Sequence, residues 1–167
     1  LNADDDLVYE MRKKVDCNVA LFSMDEANTR VKAHCKKGGI AAIYENGYVT
    51  INKAGWKIRI DKATNMPLTF DGTALFMVQN ILAAALTGFI RNVKIEELRM
   101  SLQTFIPSPA QTPGRMNLFE FDRFKVLLDF AHNPAGLNAV RVYMENIDAS
   151  VKIGVIAGTG DKIGRAR

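Results

Sequence analysis

An acid and a histidine lie in the stretch Asp129-Phe130-Ala131-His132-Asn133-Pro134, between a predicted strand and a predicted helix. The three consecutive apolar residues 126–128 precede them and indicate a strand buried on both faces, as in parallel sheets covered by helices. Asn133-Pro134 is a typical helix start, because it combines an N-cap side chain with a proline at the first helical position. Ligands of open α/β sheets bind at this end of the strands, so the segment predicts a ligand site.

The residues alone leave two interpretations of Asp129 and His132 open. In the first, Asp129 braces the following turn and His132 hydrogen-bonds to the backbone. This interpretation is slightly favoured, because isolated short motifs give many false positives. In the second, the carboxylate accepts hydrogen bonds from ribose hydroxyls and the histidine donates to a phosphate or ribose oxygen. Asn133 is predicted to act only as the helix cap.

Asn80 and Arg115 are the other two candidates for nucleotide binding. A mid-helix Asn80 costs up to about 0.7 kcal/mol of helix propensity relative to Ala, so its amide should reach solvent, a neighbouring backbone or the N6 and N7 edge of an adenine. Arg115 closes a proline-rich segment and could clamp phosphate through its planar guanidinium. A structural hydrogen bond for Asn80 and simple solvation for Arg115 are the alternatives. The glycine-rich residues 158–164 match no phosphate-loop pattern and predict an ordinary strand-to-helix turn.

Hydrophobic spacing and turn residues predict the elements that position these side chains. Helices are predicted at residues 7–15, 28–37, 71–90, 94–104 and 134–147. Strands are predicted at residues 19–22, 40–44, 48–53, 57–60, 117–121, 125–130 and 151–157. Asn46-Gly47 predicts a tight hairpin, and Gly88 is predicted to end the longest helix. The helix between the last two strands predicts a right-handed βαβ unit, and residues 107–115 indicate a domain junction.

The composition excludes several classes of protein. The chain has 167 residues, of which 48% are hydrophobic and 24% charged, as in a globular protein of one domain or two small pieces. The net charge of +4 suits an anionic ligand such as a nucleotide, but no nucleic-acid-binding motif accompanies the basic residues. No stretch approaches the roughly 20 apolar residues of a membrane span. Cys17 and Cys35 lack metal-ligand spacing, which favours reduced thiols, a cytoplasmic location and no metal site.

Four motifs resemble those of the Mur ligase and folylpolyglutamate synthetase superfamily, and they occur in the expected order. Asp129-Phe130-Ala131-His132-Asn133-Pro134 is similar to the signature D-[YG]-A-H-N-P, and residues 76–85 are similar to the helix motif N-x-x-N-x-x-A-A-A. Pro113-Gly114-Arg115 matches P-G-R, and Leu1-Asn2-Ala3-Asp4-Asp5 matches L-N-A-D-D. Within the superfamily, residues 108–117 most resemble the Mur-like C-terminal half of the cyanophycin synthetases.

This resemblance implies an α/β fold, a reaction and a set of site residues. Residues 1–106 would be the C-terminal part of a Mur-like central ATPase domain, and residues 107–167 the first part of a Rossmann-like C-terminal ligase domain. ATP and Mg²⁺ are the implied cofactors. By this resemblance, Asn80 would contact the adenine and Arg115 the phosphate. Asp129 and His132 would contact the ribose or atoms near it. The implied reaction joins an amino acid to an acidic peptide through an acyl phosphate, and in a cyanophycin synthetase arginine is added to a polyaspartate backbone.

The sequence also departs from the family pattern. Met77 stands at the position of the first asparagine of the helix motif, so adenine recognition would rest on Asn80 alone. Phe130 replaces a common tyrosine, and Asp6 replaces a usual proline. Lys162-Ile163 follows Gly160-Asp161 where relatives carry Arg-Arg or Arg-Asp.

The P-loop and Mg²⁺ ligands of such enzymes would lie upstream, and Leu1 is not an initiator methionine. We therefore expect an internal piece of a longer protein that is inactive alone, with its catalytic residues elsewhere. Exposed strand edges of such a piece could pair with a second copy of the chain. Two alternatives stay open: a related ligase that joins a different amino acid, and a non-catalytic nucleotide-binding module. An upstream P-loop would argue against the module.

Overall fold

A computed structural model describes residues 1–156 as a mixed α/β protein. The chain divides into two compact units, Leu1–Ile106 and Pro107–Arg167. Among the residues described, no helix combines the length and the apolar character that a membrane crossing requires.

The first unit contains a four-stranded sheet and four helices. Its strands are β1 (Leu21–Ser23), β2 (Ile40–Glu45), β3 (Tyr48–Lys53) and β4 (Trp56–Lys62). Its helices are α1 (Asp6–Glu10), α2 (Thr29–Lys36), α3 (Leu75–Ile90) and α4 (Ile95–Thr104). The strands lie side by side in chain order, β1 parallel to β2 and the other pairs antiparallel.

Both faces of this sheet are covered, because side chains alternate along β2. Ala41 and Ile43 pack with Val31 and Cys35 of α2 in one apolar cluster. Ala42 packs on the opposite face, in a larger cluster. That cluster also includes the following residues of β3, β4 and α3: Val49, Ile51, Ile60, Val78, Ile81, Leu82, Ala85 and Leu86. The apolar character of α3 is therefore explained by burial, as its sequence predicts.

The first residues of the chain extend the sheet beside β1. Asn2 forms a parallel bridge with Phe22. The Asp4 carboxylate accepts hydrogen bonds from Ser23 Oγ at 2.5 Å, Met24 N at 2.7 Å and Asn28 Nδ2 at 2.9 Å. Asn28 in turn caps α2, since its Oδ1 accepts from Arg30 N at 2.9 Å. The L-N-A-D-D motif thus ties the sheet edge to a helix start.

Local signals place most of these elements correctly. Asn46 and Gly47 have φ angles of +50° and +82°, and the hairpin that they predict joins β2 to β3. The longest helix starts four residues later than predicted, because Asp71 and Gly72 are left-handed and cannot belong to it. Gly88 does not end α3, which continues to Ile90. A Cβ atom at Gly88 would lie 2.4 Å from Leu98 Cδ2, so this glycine serves close packing against α4 instead.

The described part of the second unit, residues 107–156, contains a two-stranded sheet and one α-helix of 12 residues. Strands β5 (Asn117–Glu120) and β6 (Lys125–Leu128) are antiparallel, and helix α5 spans Pro134–Glu145. Leu137, Val140 and Met144 share a half-buried face of α5, and Tyr143 is buried.

Two expectations for this unit are wrong for the residues described. The apolar run is not buried on both faces, since Val126 is 42% and Leu128 52% exposed. Four residues separate β5 from β6, and a connection this short permits only an antiparallel pair. Residues 151–156 contain no strand, so the described part of the chain forms no βαβ unit. The α/β class stands, whereas the described part of the second unit contains no parallel sheet.

Candidate functional site

Asp129 and His132 lie on the segment that joins the end of β6 to the start of α5, as the sequence predicts. Asn133 is the N-cap of α5, because its Oδ1 accepts a hydrogen bond from Gly136 N at 2.8 Å. The His132 side chain is exposed, and its Nδ1 lies 3.0 Å from the carbonyl oxygen of Phe130. The predicted cap and the predicted backbone contact of the histidine are both confirmed. That contact orients the imidazole ring and leaves Nε2 directed at other partners.

Arg115 and His132 both contact the ring of Phe130. The Arg115 Cζ lies 5.1 Å from the centroid of the Phe130 ring, within the range of a cation–π contact. The centroid of the His132 ring also lies 5.1 Å from that of Phe130, with an angle of 49° between the rings. Arg115 is exposed, and among residues 1–156 no carboxylate pairs with it. A planar cation and an imidazole are thus presented together, which suits an anion with several oxygens.

The Asp129 carboxylate makes a contact that the sequence did not predict. Its Oδ2 accepts a hydrogen bond from the backbone N–H of Met116 at 2.9 Å. Asn117 and Leu128 form the last pair of the β5–β6 ladder. One position beyond this pair, the side chain of Asp129 accepts a hydrogen bond of the kind that a backbone carbonyl accepts within the ladder. The Asp129 carboxylate therefore holds Met116, the residue after Arg115, and does not brace the turn that follows Asp129.

Asn117 is the residue of this site that sequence reasoning missed, because its position suggested only the start of a strand. Its side chain is 1% exposed, and its Oδ1 accepts from Gly114 N at 2.7 Å. Its Nδ2 donates to the carbonyl oxygens of Thr112 at 2.9 Å and Arg115 at 3.2 Å. An asparagine two residues after Pro-Gly-Arg was the one signal in the sequence. Its burial, and hence its need for partners, is visible only in the structure.

Asn80 belongs to the first unit, and the three other predicted site residues belong to the second. Its side chain is exposed on α3, as the cost of burying an amide predicts. Its Nδ2 lies 3.4 Å from the Sδ of Met77, one turn earlier on the same helix. Met77, the residue that departs from the family motif, is 8% exposed. Its buried side chain contacts the amide of Asn80, the asparagine that the motif retains. This weak sulfur contact leaves the amide available to a ligand.

Two further predictions concern metal ligands and the glycine-rich loop. Within residues 1–156, no three His, Cys, Asp or Glu side chains are grouped as they would be around a metal ion. The loop at residues 158–164, which was predicted to be a plain turn, lies outside the described residues.

No protein-family model matches the chain. Curated relatives do match it. The cyanophycin synthetase of Nostoc sp. is 48% identical over 162 residues, which is 97% of this chain. The cyanophycin synthetase of Synechocystis sp. is 46% identical over the same share. The chain spans only 18% of the length of each of these two proteins.

A more distant relative is a UDP-N-acetylmuramoyl-L-alanyl-D-glutamate–2,6-diaminopimelate ligase from Caldanaerobacter subterraneus. It is 25% identical over 166 residues, which covers 93% of this chain and 32% of the ligase. The similarity to both kinds of protein covers more than nine-tenths of this chain. The chain is therefore related to the cyanophycin synthetases along nearly its whole length and more distantly to a Mur ligase, which confirms the family resemblance drawn from its motifs.

Proposed function

We propose that this chain forms part of an ATP-dependent carbon–nitrogen ligase of the cyanophycin synthetase type. The observation that carries the proposal is the exposed, unpaired Arg115 guanidinium, in contact with the Phe130 ring beside His132. It lies in a segment whose curated relatives are synthetases and ligases by name. We further propose that residues 1–106 are the C-terminal part of a Mur-like central domain. Residues 107–167 would begin a Rossmann-like C-terminal domain.

Each site residue has a proposed contact with ATP. Arg115 binds phosphate oxygens through its planar fork, and His132 donates to a phosphate or ribose oxygen. Asp129 has one oxygen engaged by Met116 N, which leaves the other for a ribose hydroxyl. Asn80 presents its exposed amide to the adenine edge. Within the second unit, Arg115 and His132 offer donors to an anion, and Asp129 offers an acceptor to a nucleoside.

The chemistry that we propose is amide formation through an acyl phosphate. When bound, ATP supplies the γ-phosphoryl group that a substrate carboxylate accepts, and an amine then displaces the phosphate. Arg115 would counter the negative charge that develops on the phosphate oxygens, which is the main task of the protein in such a transfer. Mg²⁺ would share that task, with ligands outside these residues. The proposed substrates are arginine and the aspartate side chains of an acidic peptide.

Two further proposals concern the setting of the enzyme. Cys17 and Cys35 are both free thiols, which agrees with a reducing compartment and leads us to propose a cytoplasmic location. Exclusion of water from the bound ATP would protect the acyl phosphate from hydrolysis.

The test uses the full-length protein that carries this chain. We expect phosphate release from ATP that requires Mg²⁺, an aspartate-rich peptide and arginine together, with arginine incorporated into the peptide by mass spectrometry. Arg115→Ala should raise the KM for ATP about tenfold or more, because a charge-assisted hydrogen bond contributes about 1.5–3 kcal/mol. Asn80→Ala should also raise it, whereas Thr87→Ala, an exposed control on the same helix, should not. Phosphate release that is equally fast with and without the peptide and arginine would contradict the proposal.

One alternative follows from the distant relative. If the protein joined a diamino acid such as 2,6-diaminopimelate, that compound would support phosphate release and arginine would not. The other alternative, a nucleotide-binding module without catalysis, would bind ATP and release no phosphate with any amino acid. The same assay therefore separates all three functions.

A further inference from the structure

The loop that carries Arg115 has a constrained backbone. Gly114 and Met116, the two neighbours of Arg115, have φ angles of +67° and +51°. The left-handed region costs a residue with a side chain about 1–2 kcal/mol, so Met116 needs surrounding contacts to hold it there. Met116 is also fully buried, which fixes one end of the loop.

The Asn117 side chain makes three hydrogen bonds to the backbone of this loop. It accepts from the N–H of Gly114 and donates to the carbonyls of Thr112 and Arg115, so it spans the loop from within. Both ends of the carboxamide are used, and the group is almost fully buried. An aspartate in its place would direct an oxygen at two carbonyl oxygens, which are themselves acceptors.

We propose that Asn117 is the positioning residue that holds Arg115 in its phosphate-binding orientation. It acts through the backbone of residues 112–116, and it does not touch ATP. Asp129 supports the same loop from the other side through Met116 N. This inference rests on the proposed function, because it assigns to Asn117 a role that exists only if Arg115 binds phosphate.

The experiment is a double-mutant cycle in the full-length protein, with the KM for ATP and kcat measured from arginine-dependent phosphate release. Asn117→Ala should raise the KM for ATP about tenfold, as Arg115→Ala should. It should lower kcat by a smaller factor than it raises the KM for ATP. In the Arg115→Ala background, Asn117→Ala should raise that KM no further, since the group through which it acts is gone. Asn117→Asp should behave like Asn117→Ala. Asn138→Ala, an exposed asparagine on α5, is the matched control and should leave both constants unchanged.

A second variant guards against a chain that fails to fold. Gly114→Ala places its Cβ in open space, so it disturbs only the left-handed backbone and leaves the Asn117 side chain in place. It should raise the KM for ATP severalfold in the parent background and not in the Arg115→Ala background.

Three results would overturn the inference. Asn117→Ala and Gly114→Ala could leave the KM for ATP within twofold while Arg115→Ala raises it. Their effects could instead be equal with and without Arg115, which would indicate general destabilisation. If Arg115→Ala itself leaves the KM for ATP unchanged, the phosphate role proposed for Arg115 fails, and the positioning role fails with it.

Discussion

Phe130 links the two exposed donors of the candidate site. The Arg115 Cζ atom and the centroid of the His132 ring each lie 5.1 Å from the centroid of the Phe130 ring. The motif that this segment resembles predicts tyrosine here, and phenylalanine keeps the aromatic face that both contacts use while lacking the hydroxyl. These contacts are therefore insensitive to this departure from the family pattern.

His34 is a second histidine with an unusual environment. Its Nε2 is buried, and its ring fills the space beside Gly39, where a Cβ atom would lie 2.3 Å from Nε2. Burial lowers the pKa of His34 below its ordinary value of 6.5. The folded protein therefore holds a neutral imidazole at neutral pH.

This environment predicts that stability depends on pH. Because the pKa of His34 is lower in the folded state, the unfolded chain binds the proton first. The stabilising contribution of His34 is thus complete above pH 6.5 and is lost as the pH falls through the folded pKa. Urea unfolding at pH 8 and pH 5.5 should show a drop in the free energy of unfolding that His34→Gln reduces.

The control is His132→Gln, which replaces the only other histidine of the chain, an exposed one. It should keep the drop seen in the parent protein. An equal pH dependence in the parent and in His34→Gln would show that the buried imidazole does not carry the effect.

At the level of elements, the packing of α3 on α4 depends on Gly88. The glycine has a cost in helix propensity of about 1 kcal/mol, which predicts a helix end on local grounds. The structure retains it inside α3 because Leu98, 8% exposed, occupies the position that a Cβ atom would need. Tertiary packing thus overrides the local preference.

A substitution series tests this packing. Gly88→Val should lower the free energy of unfolding by about 1–3 kcal/mol, the usual cost of overpacking a core. Adding Leu98→Ala should make room for the new side chain, so the double variant should lose less stability than the sum of the single variants. Chemical denaturation of the four proteins provides the measurement.

Ala84→Val is the matched control, because Ala84 is exposed on the same helix and reports only the propensity of a β-branched residue. It should cost less than Gly88→Val. Strict additivity of Gly88→Val and Leu98→Ala would refute the proposed contact.

For the molecule as a whole, the central expectation is that these 167 residues need further sequence for catalysis. They contain no G-x-x-x-x-G-K-[ST] segment, and they span 18% of the cyanophycin synthetases that they match. If the proposed ligase function is right, we expect the phosphate loop that binds ATP to lie elsewhere in the protein.

The isolated chain should therefore show no arginine-dependent phosphate release from ATP. The measurement is the phosphate assay described above at equal molar concentrations, with the full-length protein as the positive control. Circular dichroism of the isolated chain should confirm that it is folded before the comparison is made. Turnover by the folded, isolated chain at the rate of the full-length protein would refute the expectation.

Features that depend on neighbouring residues were predictable from the sequence. The Asn133 cap, the hairpin at Asn46-Gly47 and the apolar face of α4 follow from side chains within a few positions of one another, where propensity and turn chemistry act. The motif at residues 129–134 likewise placed the candidate site at the junction of a strand and a helix.

Only the tertiary structure decided contacts between distant residues. Asp129 holds Met116 across 13 positions, and Gly88 leaves space for Leu98 of the next helix. In each case the partner is selected by packing and by the requirement that buried polar groups be satisfied, and neither is encoded in local spacing. The contacts of Asn117 lie within five positions of it, but they too depend on the fold, because the loop must close around the amide before its partners are in reach.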